Sequence, residues 1–243
     1  QGNLAIESDE IMIEKIHEKN VWDSLIKTTL PIVIYGMGNG ADMIIEKLQS
    51  IGVDFADIFA SDEFVRGHSF HGKKVLKYSE VQEKYNDFVI VMAFAVHDKK
   101  MLARVKELSK EHTLYFPDVP VVGDGIFSRE YIKEHDSEFD KAYSLLSDEK
   151  SRQSYIDVLN FKVSGKTEYL FKCEREKEEI YSDYLRPGDN EIIMDLGAYD
   201  GDTIRELLNV TDNKYQKIYA VEADEKNFKK LFDKTSELLR IER

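Results

Sequence analysis

Residues 190–224 open as Asn190-Glu-Ile-Ile-Met-Asp-Leu-Gly-Ala-Tyr-Asp-Gly-Asp-Thr203, pass through a stretch of helical spacing, and resume as Ile218-Tyr-Ala-Val-Glu-Ala-Asp224. Ile192, Ile193 and Met194 are a short apolar run that stops at Asp195, as a buried parallel strand does. Gly197 and Gly201 follow at once, and glycine permits a sharp turn and close approach of a ligand. Thr203 then precedes Ile204, Leu207 and Leu208 at helical spacing, with Glu206 placed to complete a capping box. Ile218 to Val221 form a second strand with Glu222 at its carboxyl end. The order strand, glycine turn, helix, strand is a βαβ unit, and open α/β sheets bind ligands at the carboxyl ends of their strands. Backbone N–H groups of such a turn and helix start can hold an anionic group. Glu222 can accept from two ribose hydroxyls.

The wording Asp195-Leu-Gly-Ala-Tyr-Asp-Gly-Asp-Thr203, followed by Tyr219-Ala-Val-Glu-Ala-Asp224, resembles motif I and its acidic partner in the FkbM family of S-adenosylmethionine-dependent methyltransferases. The resemblance covers roughly residues 150–243. It implies a class I methyltransferase fold, S-adenosylmethionine (SAM) as cofactor, and O-methyl transfer to a sugar, polysaccharide or natural-product hydroxyl. It makes Asp195, Gly197, Ala198, Tyr199, Asp200, Gly201, Thr203 and Glu222 the expected cofactor-binding residues. Tyr199 departs from the pattern, because a glycine usually stands in the middle of this motif. From the residues alone, Asp195 is open to bonding the turn instead of a ligand, and Asp200 and Asp202 are open to turn or cap roles. No catalytic base is assigned.

Composition bounds the rest. With 42% hydrophobic and 33% charged residues in 243, the chain reads as a globular protein of one large or two small domains. A net charge of −13 opposes a nucleic-acid partner, whose binding face is basic. Cys173 is the single cysteine, so no intramolecular disulfide forms, and a reducing, cytoplasmic setting fits. No apolar run reaches the roughly 20 residues of a membrane span, and no signal-peptide core opens the chain.

Upstream, residues 8–28 carry Ile11, Ile13, Ile16, Val21, Trp22, Leu25 and Ile26 at mostly helical spacing, closed by Pro31. Residues 1–29 are therefore read as an N-terminal helix. Ile32 to Tyr35 is a buried-strand run followed by Gly36-Met-Gly38-Asn-Gly40-Ala41 and a helical pattern. This is G-x-G-x-x-A between strand and helix, the context that a dinucleotide fingerprint needs. Gly36, Gly38, Ala41 and Asp62 make up a candidate second nucleotide site, with NAD as the concrete ligand. Strands are expected at 55–60, 74–76, 88–94 and 113–116, and helices from Ser79 (boxed by Gln82) and over 98–111. Alternating elements imply a parallel, doubly wound sheet over residues 30–120. The block resembles Rossmann-like N-terminal domains of some sugar-modifying and polysaccharide-biosynthesis proteins. His68 and His71 lie in an apparent polar loop, and no cysteine or clustered acid completes a ligand set with them, so no metal is expected. His97 stands either at the sheet's carboxyl edge or at a helix start.

Residues 121–189 read as a helical connector, with a turn at Gly123 and Gly125 and helices over 129–146 and 149–163. Their apolar sets are Tyr131, Ile132, Phe139, Tyr143, Leu145, Leu146 and Tyr155, Ile156, Val158, Leu159, Phe161. Glu174 to Glu179 is a solvated charge run. Residues 190–243 begin the methyltransferase domain, ending in a helix with Phe228, Leu231, Phe232, Leu238 and Leu239. A class I methyltransferase sheet has seven strands and only two follow here, so a truncated, inactive part of a longer enzyme is expected. Its partners are expected to be a small-molecule or glycan acceptor and, through the open sheet edge, a second copy. The alternative function is a nucleotide- or NAD-binding Rossmann protein, an oxidoreductase or sensor, working through Gly36 to Ala41.

Overall fold

The computed structural model describes residues 12–96, 98–120 and 125–236. Ile11, His97, Gly123, Leu238 and Leu239, named above, lie outside them. The chain forms two compact units, residues 1–174 and 175–243.

The first unit is built on six strands: β1 (Ile32–Tyr35), β2 (Asp57–Phe59), β3 (Ser69–Phe70), β4 (Lys73–Leu76), β5 (Val89–Met92) and β6 (Thr113–Tyr115). Their spatial order is β3-β4-β2-β1-β5-β6, and every pairing is parallel except β3 with β4. Without β3, the five parallel strands run in the Rossmann order, with the direction of winding reversing between β1 and β5. Strand alternation explains why the sheet is doubly wound. Ile32, Ile34, Val89 and Val91 pack with Trp22 and Leu25 of α1 (Val21–Lys27) and with Ile44, Ile45 and Leu48 of α2 (Asn39–Ser50). Val33, Tyr35, Ile90 and Met92 pack on the other side with Val81 of α3 (Tyr78–Lys84) and with Val105 and Leu108 of α4 (Lys99–Glu111). Each such fully buried aliphatic side chain contributes about 1.5–3 kcal/mol of transfer free energy.

The helical part of this unit comprises α5 (Arg129–Glu134), α6 (Asp136–Ser144), α7 (Glu149–Ser164) and α8 (Thr167–Cys173). Ile132, Leu159 and Val163 bury Met12 and Ile16 in a separate cluster. Here the single helix expected over 8–28 is corrected. Among the described residues that stretch is a 3-10 turn, Met12–Lys15, a loop, and α1. The loop backbone finds tertiary partners in place of helical ones. The N–H groups of His17 and Glu18 donate to Asn160 Oδ1 at 3.1 and 3.2 Å, and Arg129 donates to the carbonyls of Ile13, Ile16 and Glu18.

The helix expected over 129–146 is also two, broken at His135, whose N–H caps the first on Tyr131 O while its carbonyl accepts from Glu138 and Phe139. Leu145, expected to pack, is exposed. Helix α8 was not legible. The apparent polar loop 66–72 contains β3, an antiparallel edge strand. Helix α3 is capped by the Glu80 carboxylate on the Lys77 N–H at 2.8 Å, not by a Ser79–Gln82 box.

The second unit contains α9 (Lys177–Glu179), a π-helical turn Ile180–Leu185, β7 (Ile192–Leu196), α10 (Asp202–Val210), β8 (Lys217–Val221) and α11 (Glu225–Thr235). Strands β7 and β8 are parallel, with Asp195 opposite Ala220 and Leu196 opposite Val221. β7 runs two residues further than its apolar run suggests, so Asp195 lies inside it. Ala198, Ile204, Leu208 and Leu231 form the core on one face, packed on Ile218 and Ala220. The alternate side chains face away from it: Ile192, Met194 and Leu196 are 60%, 62% and 72% exposed. Among the described residues of this unit, that face of the two strands is apolar and open. Among the described residues, no helix is long and apolar enough to cross a membrane.

Candidate functional site

The site of the second unit is the turn that joins β7 to α10, at the carboxyl edge of the two strands. Gly197 and Ala198 donate their N–H groups to the Val221 carbonyl at 2.8 and 3.0 Å, and Gly201 donates to Ala198 O at 2.7 Å. Glu222, just past β8, receives the Tyr199 N–H on Oε2 at 2.8 Å and the Asp224 N–H on Oε1 at 2.9 Å. One carboxylate thus ties the glycine turn to the start of α11. A carboxylate has about four lone-pair directions, so both oxygens keep capacity for a ligand's donors.

The two glycines differ in role. A Cβ on Gly197 (φ +89°) would meet nothing within 4 Å, so the backbone there borders open space. A Cβ on Gly201 (φ +80°) would lie 2.6 Å from Thr235 Cγ2 and 3.0 Å from Leu231 Cδ1. Gly201 is therefore small so that α11 can pack on the start of α10. Between them Tyr199 holds φ +47°, a left-handed conformation uncommon outside glycine, asparagine and aspartate. Its ring is half-exposed, and Lys230 Nζ stands 5.0 Å from the ring centre.

The acidic residues divide. Asp195 Oδ2 is buried with no hydrogen-bond partner, and burial, then the negative charge of Asp202, push the carboxyl above its ordinary range. Asp200 is turned to structure: Lys234 and Arg205 both pair with its carboxylate, joining α10 to α11. Asp202 Oδ1 accepts from the Thr203 N–H at 3.0 Å. The Thr203–Glu206 capping box does not form. The helix begins at Asp202 with Gly201 as its N-cap, and Glu206 pairs with Lys177 Nζ at 2.8 Å instead. The N–H groups of Gly197, Ala198, Tyr199, Gly201 and Thr203 are all used within the unit, so most of the turn's donors are consumed internally. Asp195, Asp202 and Glu222 give this edge an acidic character, and that favours a cationic ligand group. Sequence reading missed Lys230, because nothing in the helix pattern marks it as the partner of a turn residue.

The Asp200 pairing carries a pH prediction. The bonded Lys234 ammonium, together with Arg205, holds Asp200 below its ordinary 3.8. A group with a depressed folded pKa contributes stability above the unfolded value and loses it as pH falls through the folded one. Asp200→Asn is expected to lower the stability of the second unit at neutral pH and to flatten its acid unfolding below about pH 4. Hydrogen exchange of α10 and α11 against pH measures this, and an acid limb as steep as that of the unsubstituted chain would refute it.

In the first unit, Gly36 and Asp62 follow adjacent strands β1 and β2, so the structure brings them to one sheet edge, with Asp62 exposed in a 3-10 turn, Asp62–Phe64. Two glycines of this turn have packing reasons. A Cβ on Gly36 would lie 2.5 Å from the Phe94 ring, and one on Gly40 would lie 2.4 Å from the Ala93 carbonyl oxygen. Ala41 is fully buried, while a Cβ on Gly38 would meet nothing within 4 Å. His68 Nε2 lies 3.0 Å from Met37 Sδ, and His71 Nε2 lies 2.6 Å from Asp42 Oδ1, so the β3 hairpin leans on the glycine turn and the start of α2.

These features define an α/β chain of Rossmann type with a separate βαβ unit whose glycine turn hangs from an acidic residue at the next strand's end. Its fold is similar to the crystal structure of methyltransferase FkbM from Methylobacillus flagellatus KT, with a TM-score of 0.57 and 20% sequence identity. The match covers 90% of this chain and 62% of that one, so the chain spans under two thirds of that protein's length. At this identity the likeness is one of fold. No protein-family model matches the sequence, and no curated protein matches it.

Proposed function

We propose that the chain carries the SAM-binding part of a methyltransferase whose intact form transfers the methyl group to a hydroxyl of a sugar, polysaccharide or other small-molecule acceptor. The observation that carries this reading is the turn from Gly197 to Gly201, hung from Glu222 beside an unpaired Asp195 oxygen. The likeness in fold to a methyltransferase supports it. Gly197 leaves room for backbone contact with the cofactor. Glu222 is the acceptor for the ribose hydroxyls, and the unpaired Asp195 Oδ2 is an acceptor for the ammonium end. The surplus of carboxylates suits a ligand with positive charges at nitrogen and sulfur. SAM, when bound, supplies the activated methyl group. The acceptor's own base is not among the residues assigned. The N-terminal turn is the weaker candidate, because Gly36 and Gly40 are accounted for by packing. A cytoplasmic location fits the single cysteine.

The test is binding of SAM, measured beside NAD. Glu222→Ala is expected to weaken SAM by about 1–3 kcal/mol, the range for stranding buried hydrogen-bond partners. Unchanged SAM affinity in that variant, or tighter binding of NAD than of SAM by the unsubstituted chain, would sink the assignment.

A further inference from the structure

Tyr199 occupies a position where its backbone works against it. A left-handed conformation costs a residue with a Cβ of the order of 1–2 kcal/mol, and glycine would avoid that cost. Such outliers persist only where surrounding structure enforces them, and they gather at ligand sites. Here the Tyr199 N–H is held by Glu222 at 2.8 Å, which fixes the backbone without needing the side chain. The ring must therefore be explained separately. It is not core: it is 49% exposed and is not among the buried residues that pack on Leu231 and Ile204. What it does hold is a cation, the Lys230 ammonium 5.0 Å from its centre, within the range of a cation–π contact. Lys230 Nζ has a second partner in Asn227 Oδ1 at 3.1 Å, so it can leave the ring without becoming stranded.

Resting on the SAM reading above, we propose that Tyr199 is a specificity-determining residue whose ring face receives the sulfonium cation of SAM in exchange for Lys230. The neutral thioether S-adenosylhomocysteine cannot make that contact. The ring would therefore favour the methyl donor over the spent product, adding to the acidic surround of Asp195, Asp202 and Glu222. A glycine at this position could hold the turn but could not make the distinction.

The experiment is calorimetric titration of the 243-residue chain with SAM and with S-adenosylhomocysteine, for the unsubstituted protein, Tyr199→Phe and Tyr199→Gly. Glycine relieves the backbone, so that variant is expected to fold, and a merely structural role for the ring would move both affinities together. The expected result is a loss in Tyr199→Gly of about threefold to tenfold in preference for SAM over the thioether. Tyr199→Phe should keep the preference, since the ring face survives. An unchanged preference in Tyr199→Gly, or its loss in Tyr199→Phe, overturns the inference. If Glu222→Ala weakens both ligands while Tyr199→Gly leaves their ratio alone, this inference falls and the SAM reading stands. If neither ligand binds the unsubstituted chain, both fall.

Discussion

Replacing Gly40 by alanine is expected to cost the first unit about 3 kcal/mol, the upper end of the range for overpacking. The added Cβ would lie 2.4 Å from the Ala93 carbonyl oxygen and 3.2 Å from its carbon. A side chain could rotate away, but this obstacle is main chain, at the end of the interior strand β5. To make room, α2 must move off the sheet. That movement opens the cluster in which Ala41, Ile44, Ile45 and Leu48 meet Ile34 and Val91. Alanine's better helix propensity returns at most about 1 kcal/mol. Trp22, the single tryptophan, is buried in the same cluster, so its fluorescence during urea unfolding reports this unit directly. Gly38→Ala is the control: its Cβ would meet nothing, and only the backbone conformation opposes it. A Gly40→Ala midpoint equal to that of the unsubstituted chain would show that α2 does not rest on β5 as described.

That contact also marks the limit of what the sequence discloses. The buried strands were legible because both of their faces are covered, and such strands read as unbroken apolar runs: Ile32 to Tyr35 and Val89 to Met92 declare themselves. The G-x-G-x-x-A spacing located the turn and the start of α2. It did not mark Gly40, which is the residue that touches the opposing backbone. Two of the errors share one cause, which is tertiary partners outbidding local pattern. Residues 13–18 have helical spacing, but Asn160 and Arg129 take their backbone groups. Glu206 sits three residues after Thr203, but Lys177 takes its carboxylate. At the candidate site, Gly197, Glu222 and the odd character of Tyr199 could be read from the chain. The internal use of the turn's donors could not, nor could the pairing of Asp200 with Lys234, because both depend on residues brought together only by folding.

Gly201→Ala and Gly197→Ala are expected to separate stability from ligand binding within one turn. Both glycines have positive φ, so each substitution carries a conformational cost of the order of 1–2 kcal/mol. At Gly201 a second cost is added, because the new methyl would press on Thr235 Cγ2 and Leu231 Cδ1. Leu231 is one of four buried residues in the cluster that holds this unit together, so the strain falls on most of its core. A total of about 2–4 kcal/mol follows, a large share of the stability of a small unit. At Gly197 nothing stands within 4 Å, so no crowding is added in the free chain. The methyl would occupy the space that the SAM reading reserves for the cofactor. Gly197→Ala should therefore lose SAM affinity by tenfold or more, about 1.4 kcal/mol, while unfolding within about 2 kcal/mol of the unsubstituted chain. Hydrogen exchange of α10 and α11 measures the first quantity and calorimetric titration with SAM the second. If Gly197→Ala binds SAM with undiminished affinity, the open space beside that residue is not where the cofactor lies. If Gly201→Ala leaves exchange in α10 and α11 unchanged, the close approach of those two helices is not what makes a glycine necessary there.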